Sequence, residues 1–119
     1  MSSCKSPVLI CCGILVIALL FSGCTTIGFG NAWYTNNTVS LSITNNGEPS
    51  EGYIQVTVYE ITNNLQEEKG AFFAPLALKQ GENTAFIPAP LKPGQYKLYF
   101  YLIQNGERKG ASIRDIVVN

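Results

Sequence analysis

Few residues of this 119-residue chain have side chains that could carry out chemistry. Histidine, the usual base at neutral pH and the commonest metal ligand, is absent. Asp115 is the only aspartate, and the adjacent Glu67 and Glu68 would point apart in a strand or turn. We therefore predict no catalytic residue, no metal site, no cofactor and no enzymatic activity. The remaining candidates for chemistry are the four cysteines, Cys4, Cys11, Cys12 and Cys24.

The residues before Cys24 have the three-part order of a secretory signal. Lys5 supplies a positive charge near the start, the stretch from Val8 to Phe21 is apolar, and small residues follow. The apolar stretch has about 14 residues and would be roughly 21 Å long as a helix. A bilayer core of about 30 Å needs about 20 residues. The sequence therefore predicts an N-terminal hydrophobic signal helix that is short for a permanent span.

The segment Leu20-Phe21-Ser22-Gly23-Cys24 resembles the lipobox of lipoprotein signal peptides. Ser22, Gly23 and Cys24 fit that motif, and Phe21 stands where leucine is usual. The resemblance implies cleavage before Cys24 and attachment of a diacylglyceryl group, which carries fatty acids such as palmitate, to the Cys24 sulfur. The protein would then be exported and held by lipid in the cell membrane or the outer membrane. The alternative is an uncleaved membrane anchor with Cys24 as an ordinary thiol.

These observations divide the chain into three parts. Residues 1–23 are the predicted signal peptide, residues 24–37 are the lipidated cysteine and a flexible tether rich in Gly, Thr and Asn, and residues 38–119 are the domain. A short first strand near Ala32–Tyr34 is an alternative for the end of the tether. Removal of the first 23 residues leaves 96, which suits one domain. The charges balance and form no basic patch, so we expect no nucleic-acid partner.

From Thr38 onward, apolar and polar residues alternate in short segments, as in half-buried strands. Pro75 interrupts the apolar run from Ala71 to Leu78, so this run is expected to be an edge strand or a pair of short strands. Asn63 to Gly70 is expected to be a polar connection, and Asn105-Gly106 a hairpin turn. Turn residues recur at intervals of about 8–12 residues. The pattern predicts an all-β fold, an antiparallel β-sandwich of about seven strands.

The segment Leu91-Lys92-Pro93-Gly94-Gln95-Tyr96 resembles the corner before a late strand in immunoglobulin-like and fibronectin type III-like modules. The stretch from Gln80 to Phe86 is also similar to these modules. The resemblance implies that Leu91 packs in the core and that Tyr96 returns its hydroxyl group to nearby backbone. It indicates architecture only, because such folds carry many functions.

Two groups of residues are candidates for binding. Tyr53, Tyr59, Tyr99 and Tyr101 would form an aromatic ridge if their strands are neighbours, or they would simply cover the sheet through cross-strand pairs. Phe72 and Phe73 lie in the predicted edge strand, which could accept a partner strand or pack in the core. We expect a non-catalytic binding or structural role toward an unknown protein or glycan. The alternatives are a subunit of a larger envelope assembly and a carbohydrate-binding or inhibitor module.

Overall fold

The computed structural model describes residues 26–119, and the predicted signal helix, the lipobox and Cys24 lie outside the described residues. Seven strands make up this part of the chain: β1 (Ile27–Thr35), β2 (Thr38–Asn45), β3 (Ser50–Thr62), β4 (Leu65–Leu78), β5 (Gly81–Pro88), β6 (Gly94–Gln104) and β7 (Glu107–Val118). None of the described residues forms a helix that is long and apolar enough to span a membrane.

The strands form two antiparallel sheets. One sheet has the order β1-β2-β5, and the other has the order β4-β3-β6-β7. The predicted all-β sandwich of about seven strands is thereby confirmed. In antibody constant domains the fourth strand pairs with the fifth, on the sheet of the first and second strands. Here β4 pairs with β3 instead, so the first sheet has three strands and the second has four.

Alternation along the strands builds the core between the sheets. Most inward-facing side chains of β2, β3 and β6 are completely buried, among them Leu41, Ile54 and Phe100. The polar residues at intervening positions face outward, as the period of two requires. Asn45 is a buried exception whose side chain is satisfied, because its amide nitrogen donates to the carbonyl of Glu48 at 3.1 Å and its oxygen accepts from the Gly47 amide at 3.0 Å.

Three two-residue turns connect neighbouring strands: Asn36-Asn37, Asn63-Asn64 and Asn105-Gly106. All six residues have positive φ values between 52° and 76°, the geometry of a type I′ turn, for which Asn and Gly are favoured. The prediction for Asn105-Gly106 is confirmed. The predicted polar connection from Asn63 to Gly70 is wrong, because the turn uses only two residues and β4 already begins at Leu65.

The sheet begins earlier than the predicted domain start at Thr38. Ile27–Thr35, which the sequence assigned to the tether 24–37, forms β1 and pairs with β2 along its length. A β-bulge between Phe29 and Ala32 shifts the alternation by one residue, so no unbroken period of two marks this strand. The suggested short strand near Ala32–Tyr34 is thus part of a longer one.

The bulge also joins the two sheets. Arg114 of β7 donates from Nε to the carbonyl of Gly30 at 2.9 Å and from Nη2 to the carbonyl of Phe29 at 3.1 Å. A bulge frees carbonyl groups from the ladder, and the guanidinium satisfies two of them. One side chain of the four-stranded sheet thereby holds the edge strand of the other sheet.

The corner between β5 and β6 is held by two tyrosines. The Tyr96 hydroxyl donates to the carbonyl of Lys92 at 2.6 Å, which is the hydrogen bond that the corner resemblance implied. The Tyr34 hydroxyl donates to the carbonyl of Ala89 at 2.7 Å and accepts from the Leu91 amide at 2.8 Å. Leu91 packs partly buried against the core. A residue of β1 therefore fixes a loop more than fifty positions away.

Candidate binding surface

Large apolar side chains are exposed on the outer faces of both sheets. Seven have exposed fractions between 42% and 73%: Trp33, Tyr53, Leu65, Phe73, Phe86, Ile113 and Val117. Strand alternation places four of them, Tyr53, Phe73, Ile113 and Val117, on the outer face of the four-stranded sheet. Trp33 and Phe86 lie on the outer face of the three-stranded sheet. Exposed apolar residues that cluster on one face mark interaction sites more often than scattered ones do.

The four predicted tyrosines lie on the four-stranded sheet, on the neighbouring central strands β3 and β6. We call the outer surface of this sheet the tyrosine face; its largest side chains are Tyr53, Tyr59, Phe73, Tyr99, Tyr101, Ile113 and Val117. The condition for an aromatic ridge, that the two strands are neighbours, is met.

The tyrosines differ in how far they reach into solvent. Tyr59 and Tyr99 are half-buried, and their rings meet edge to face with centroids 5.1 Å apart and planes at 72°. This pair fits the interpretation that tyrosines cover the sheet through cross-strand contacts. Tyr53 does not fit this interpretation, because 56% of it is exposed. The face therefore combines a fixed aromatic pair with a free ring near one end.

A cation adds to the tyrosine face. The guanidinium carbon of Arg108, at the start of β7, lies 4.0 Å from the centroid of the Tyr101 ring. That distance allows a cation–π contact, which orients both groups. Arg108 was not singled out from the sequence, because it follows a turn and meets Tyr101 only through the pairing of β6 with β7.

Phe72 and Phe73 point to opposite sides of β4. Phe72 packs against the core, whereas Phe73 is 58% exposed and stands opposite Gln55 on the tyrosine face. Strand β4 is an edge strand, as Pro75 predicted. Phe73 therefore joins the predicted tyrosines, and Phe72 serves the packing of the sandwich.

An open groove of about 610 Å³ borders the exposed ring of Tyr53. Pro75 of β4 and Ile103 of β6 line it on either side of that ring, and the turn at Gly106 closes one end. Because Tyr53 stands in register with both Pro75 and Ile103, the ladder itself sets the groove's width.

Several charges near this face are paired. Lys97 and Asp115 lie 3.4 Å apart across β6 and β7, and Lys69 lies 3.2 Å from both Glu60 and Glu67. The pKa of Lys69 is raised, mainly by its hydrogen bond to Glu60 and then by its hydrogen bond to Glu67, so Lys69 stays cationic. Among residues 26–119, no group of three His, Cys, Asp or Glu side chains is close enough to hold a metal ion.

The pKa values of two tyrosines are raised above the ordinary value. Burial raises the pKa of Tyr59, and the nearby carboxylate of Glu68 adds to the effect. Burial also raises the pKa of Tyr96, with a further contribution from Glu60. Both hydroxyl groups are therefore protonated at neutral pH and act as neutral hydrogen-bonding groups.

Comparison with known proteins finds structural similarity without a match in sequence. No protein-family model matches the sequence, and no curated protein does. Eleven solved chains are similar in structure. One is the crystal structure of a putative beta-galactosidase from Bacteroides fragilis, with a TM-score of 0.49 and 17% sequence identity. The similarity covers 78% of this chain and 16% of that one.

Proposed function

We propose that the protein is an exported lipoprotein, anchored through acylated Cys24, whose β-sandwich is a non-catalytic binding module. Its recognition surface is the tyrosine face, and its partner is a protein of the cell envelope. The observation that carries this proposal is the exposure of Tyr53, Phe73, Ile113 and Val117 on one sheet face that no other strand of residues 26–119 covers.

The composition of the tyrosine face favours a protein partner. Tyrosine, phenylalanine and arginine are enriched in the centres of protein interfaces, and lysine and glutamate are depleted there. Tyr59 and Tyr99 fix each other, so little side-chain freedom would be lost when a partner binds. Tyr53 lies beside its groove and is suited to be a hot spot, that is, a residue that contributes much of the binding energy of an interface.

The edge of β4 is a weaker candidate for partner binding than the face. Pro75 provides no backbone donor, and the segment Glu67-Glu68-Lys69 carries three charges along the same edge. Both features oppose the addition of another strand. This argues against the alternative in which the protein accepts an edge strand from a neighbouring subunit.

The position of Thr26 indicates which end of the domain would face the lipid. The Thr26 carbonyl accepts a hydrogen bond of 2.8 Å from the Asn46 amide, so the start of the described chain is fixed at the turn between β2 and β3. Cys24 is two residues earlier, a reach of at most about 7 Å. The turn at Asn105-Gly106 lies at the same end, and Asn36-Asn37 and Asn63-Asn64 lie at the opposite end. Both sheet faces would therefore stand beside the membrane and not against it.

Two acyl chains are enough for a stable anchor, whereas one binds a membrane only marginally. Replacing Cys24 by Ser should therefore release the domain from the membrane fraction or move it from its normal place in the envelope. A control that keeps Cys24 but alters the tyrosine face, Phe73→Ala, should stay with the membrane. A Cys24→Ser variant that keeps its normal place in the envelope would contradict lipid anchoring.

The recognition surface is tested by site-specific photo-crosslinking in cells. A benzophenone analogue of phenylalanine at position 73 should give a discrete protein adduct. The matched control is the same analogue at position 86, because Phe86 is equally exposed, at 61% against 58%, but lies on the other sheet. Equal adducts at both positions, or none at position 73, would refute the tyrosine face as the protein-binding surface.

A further inference from the structure

We propose a second binding site, for a neutral glycan, on the outer face of the three-stranded sheet. It consists of one row of three residues, Trp33, Ser40 and Phe86, which we call the tryptophan row. The site depends neither on the lipid nor on the tyrosine face, since it lies on the opposite side of the sandwich.

The ladder brings the three residues together from distant parts of the chain. Trp33 of β1 stands directly opposite Ser40 of β2, and Ser40 stands directly opposite Phe86 of β5. All three point outward, because Ala32, Leu41 and Ile87 at the adjacent positions face the core. The two rings stand two strand spacings apart, about 10 Å. A small hydroxyl residue therefore lies between two large aromatic ones.

Ser40 is unusual for an outward-facing residue, because only 3% of it is exposed. Its hydroxyl group forms no hydrogen bond with any of residues 26–119. A buried polar group without a partner costs about 1–3 kcal/mol. Buried polar groups are nearly always satisfied, and an unsatisfied one at a surface row points to a ligand that completes it.

The surroundings of the row favour a ligand that is neutral and rich in hydroxyl groups. Ser42, Thr44 and Thr84 share this face, and Glu82 is its charged residue, accepting from Thr44 at 3.1 Å. No lysine or arginine belongs to the outward positions of β1, β2 and β5. An anionic ligand would meet a carboxylate and no cation, so charge complementarity opposes it.

Glycans match this chemistry. The C–H face of a sugar ring is apolar and packs on an aromatic ring, while its hydroxyl groups point sideways toward hydrogen-bonding partners. A chain of at least two sugar rings would span Trp33 and Phe86 and bring hydroxyl groups to Ser40 between them. The row lies six residues along β1 from Ile27, so it would stand about 20 Å above the lipid end of the domain.

Trp33 itself reports on the site, because it is the only tryptophan of the chain. We would titrate the folded protein with four neutral polysaccharides, namely hydroxyethyl cellulose, mixed-linkage β-glucan, galactomannan and dextran, and record tryptophan emission. Binding should shift or quench the emission with at least one of them. The anionic polymer polygalacturonate should have no effect. No response to any neutral polysaccharide, or an equal response to polygalacturonate, would overturn the proposal.

Three variants locate the effect. Phe86→Ala should weaken binding about tenfold, since it removes one stacking surface. Ser40→Ala should weaken binding about fivefold through the lost hydrogen bond, without lowering the melting temperature, because the free protein does not satisfy this hydroxyl group. The control Leu65→Ala changes an exposed apolar residue that belongs to neither site, and it should bind unchanged. Unchanged binding by Phe86→Ala, or a Ser40→Ala variant that binds normally but melts earlier, would refute the site.

Discussion

Replacing Tyr34 by Phe removes one oxygen atom and, with it, two hydrogen bonds between β1 and the corner loop. The Ala89 carbonyl and the Leu91 amide would lose a partner in part-buried positions. Each unpaired group destabilises the folded state by about 1 kcal/mol or more, so we expect a total of about 2 kcal/mol. If Tyr34 belonged to a flexible tether, as its sequence neighbourhood indicated, the substitution would have no effect.

Urea denaturation of the domain measures this free energy of unfolding. With an unchanged m-value, a loss of about 2 kcal/mol should lower the midpoint by about 1 M and the melting temperature by roughly 10 °C. The matched control is Tyr53→Phe, because Tyr53 is 56% exposed and its hydroxyl group forms no hydrogen bond with the described residues. The control should stay within about 0.5 kcal/mol of the original protein. An equal, small effect of both substitutions would show that β1 does not support the corner.

Three further predictions concern other parts of the fold. Arg114→Lys should lower the free energy of unfolding by about 1–2 kcal/mol in urea denaturation, since an ammonium group cannot reproduce the fork on two carbonyls of the bulge. Gly106→Ala should destabilise by about 1 kcal/mol in the same assay, because residue 106 has a φ of 76°. Burial raises the pKa of Tyr96, so the unfolded chain loses this proton first, and stability should fall as the pH rises above about 10. Tyr96→Phe should make this alkaline loss smaller, and an unchanged pH profile would contradict the assignment.

The strands that the sequence predicts well are those with one buried face. In β2, β3 and β6 every second residue is apolar, and the structure buries those positions. Only the part of β1 near Ala32–Tyr34 is suggested by the sequence, because the bulge breaks the alternation and because Gly28, Gly30 and Asn31 give the strand the composition of a linker. The first half of β4 escaped because it is a polar edge with few inward contacts to impose a pattern.

The two candidate sites also differ in how far the sequence predicts them. Alternation alone assigns Tyr99 and Tyr101 to an outer face, and the neighbouring position of β3 and β6 completes the ridge. The tryptophan row could not be predicted, because it depends on the pairing of β2 with both β1 and β5. The burial of Ser40 is a consequence of that pairing, and a serine at an outward position gives no sign of it in the sequence.

The intact mass of the protein purified from membranes tests the central claim most directly. The account predicts a chain that begins at Cys24 and carries the added mass of a diacylglyceryl group, with or without a further acyl chain on the new amino terminus. A chain that begins at Met1 with all four cysteines unmodified would contradict the lipid anchor. A lipid on Cys24 could then not explain the proposed orientation of the domain at the membrane.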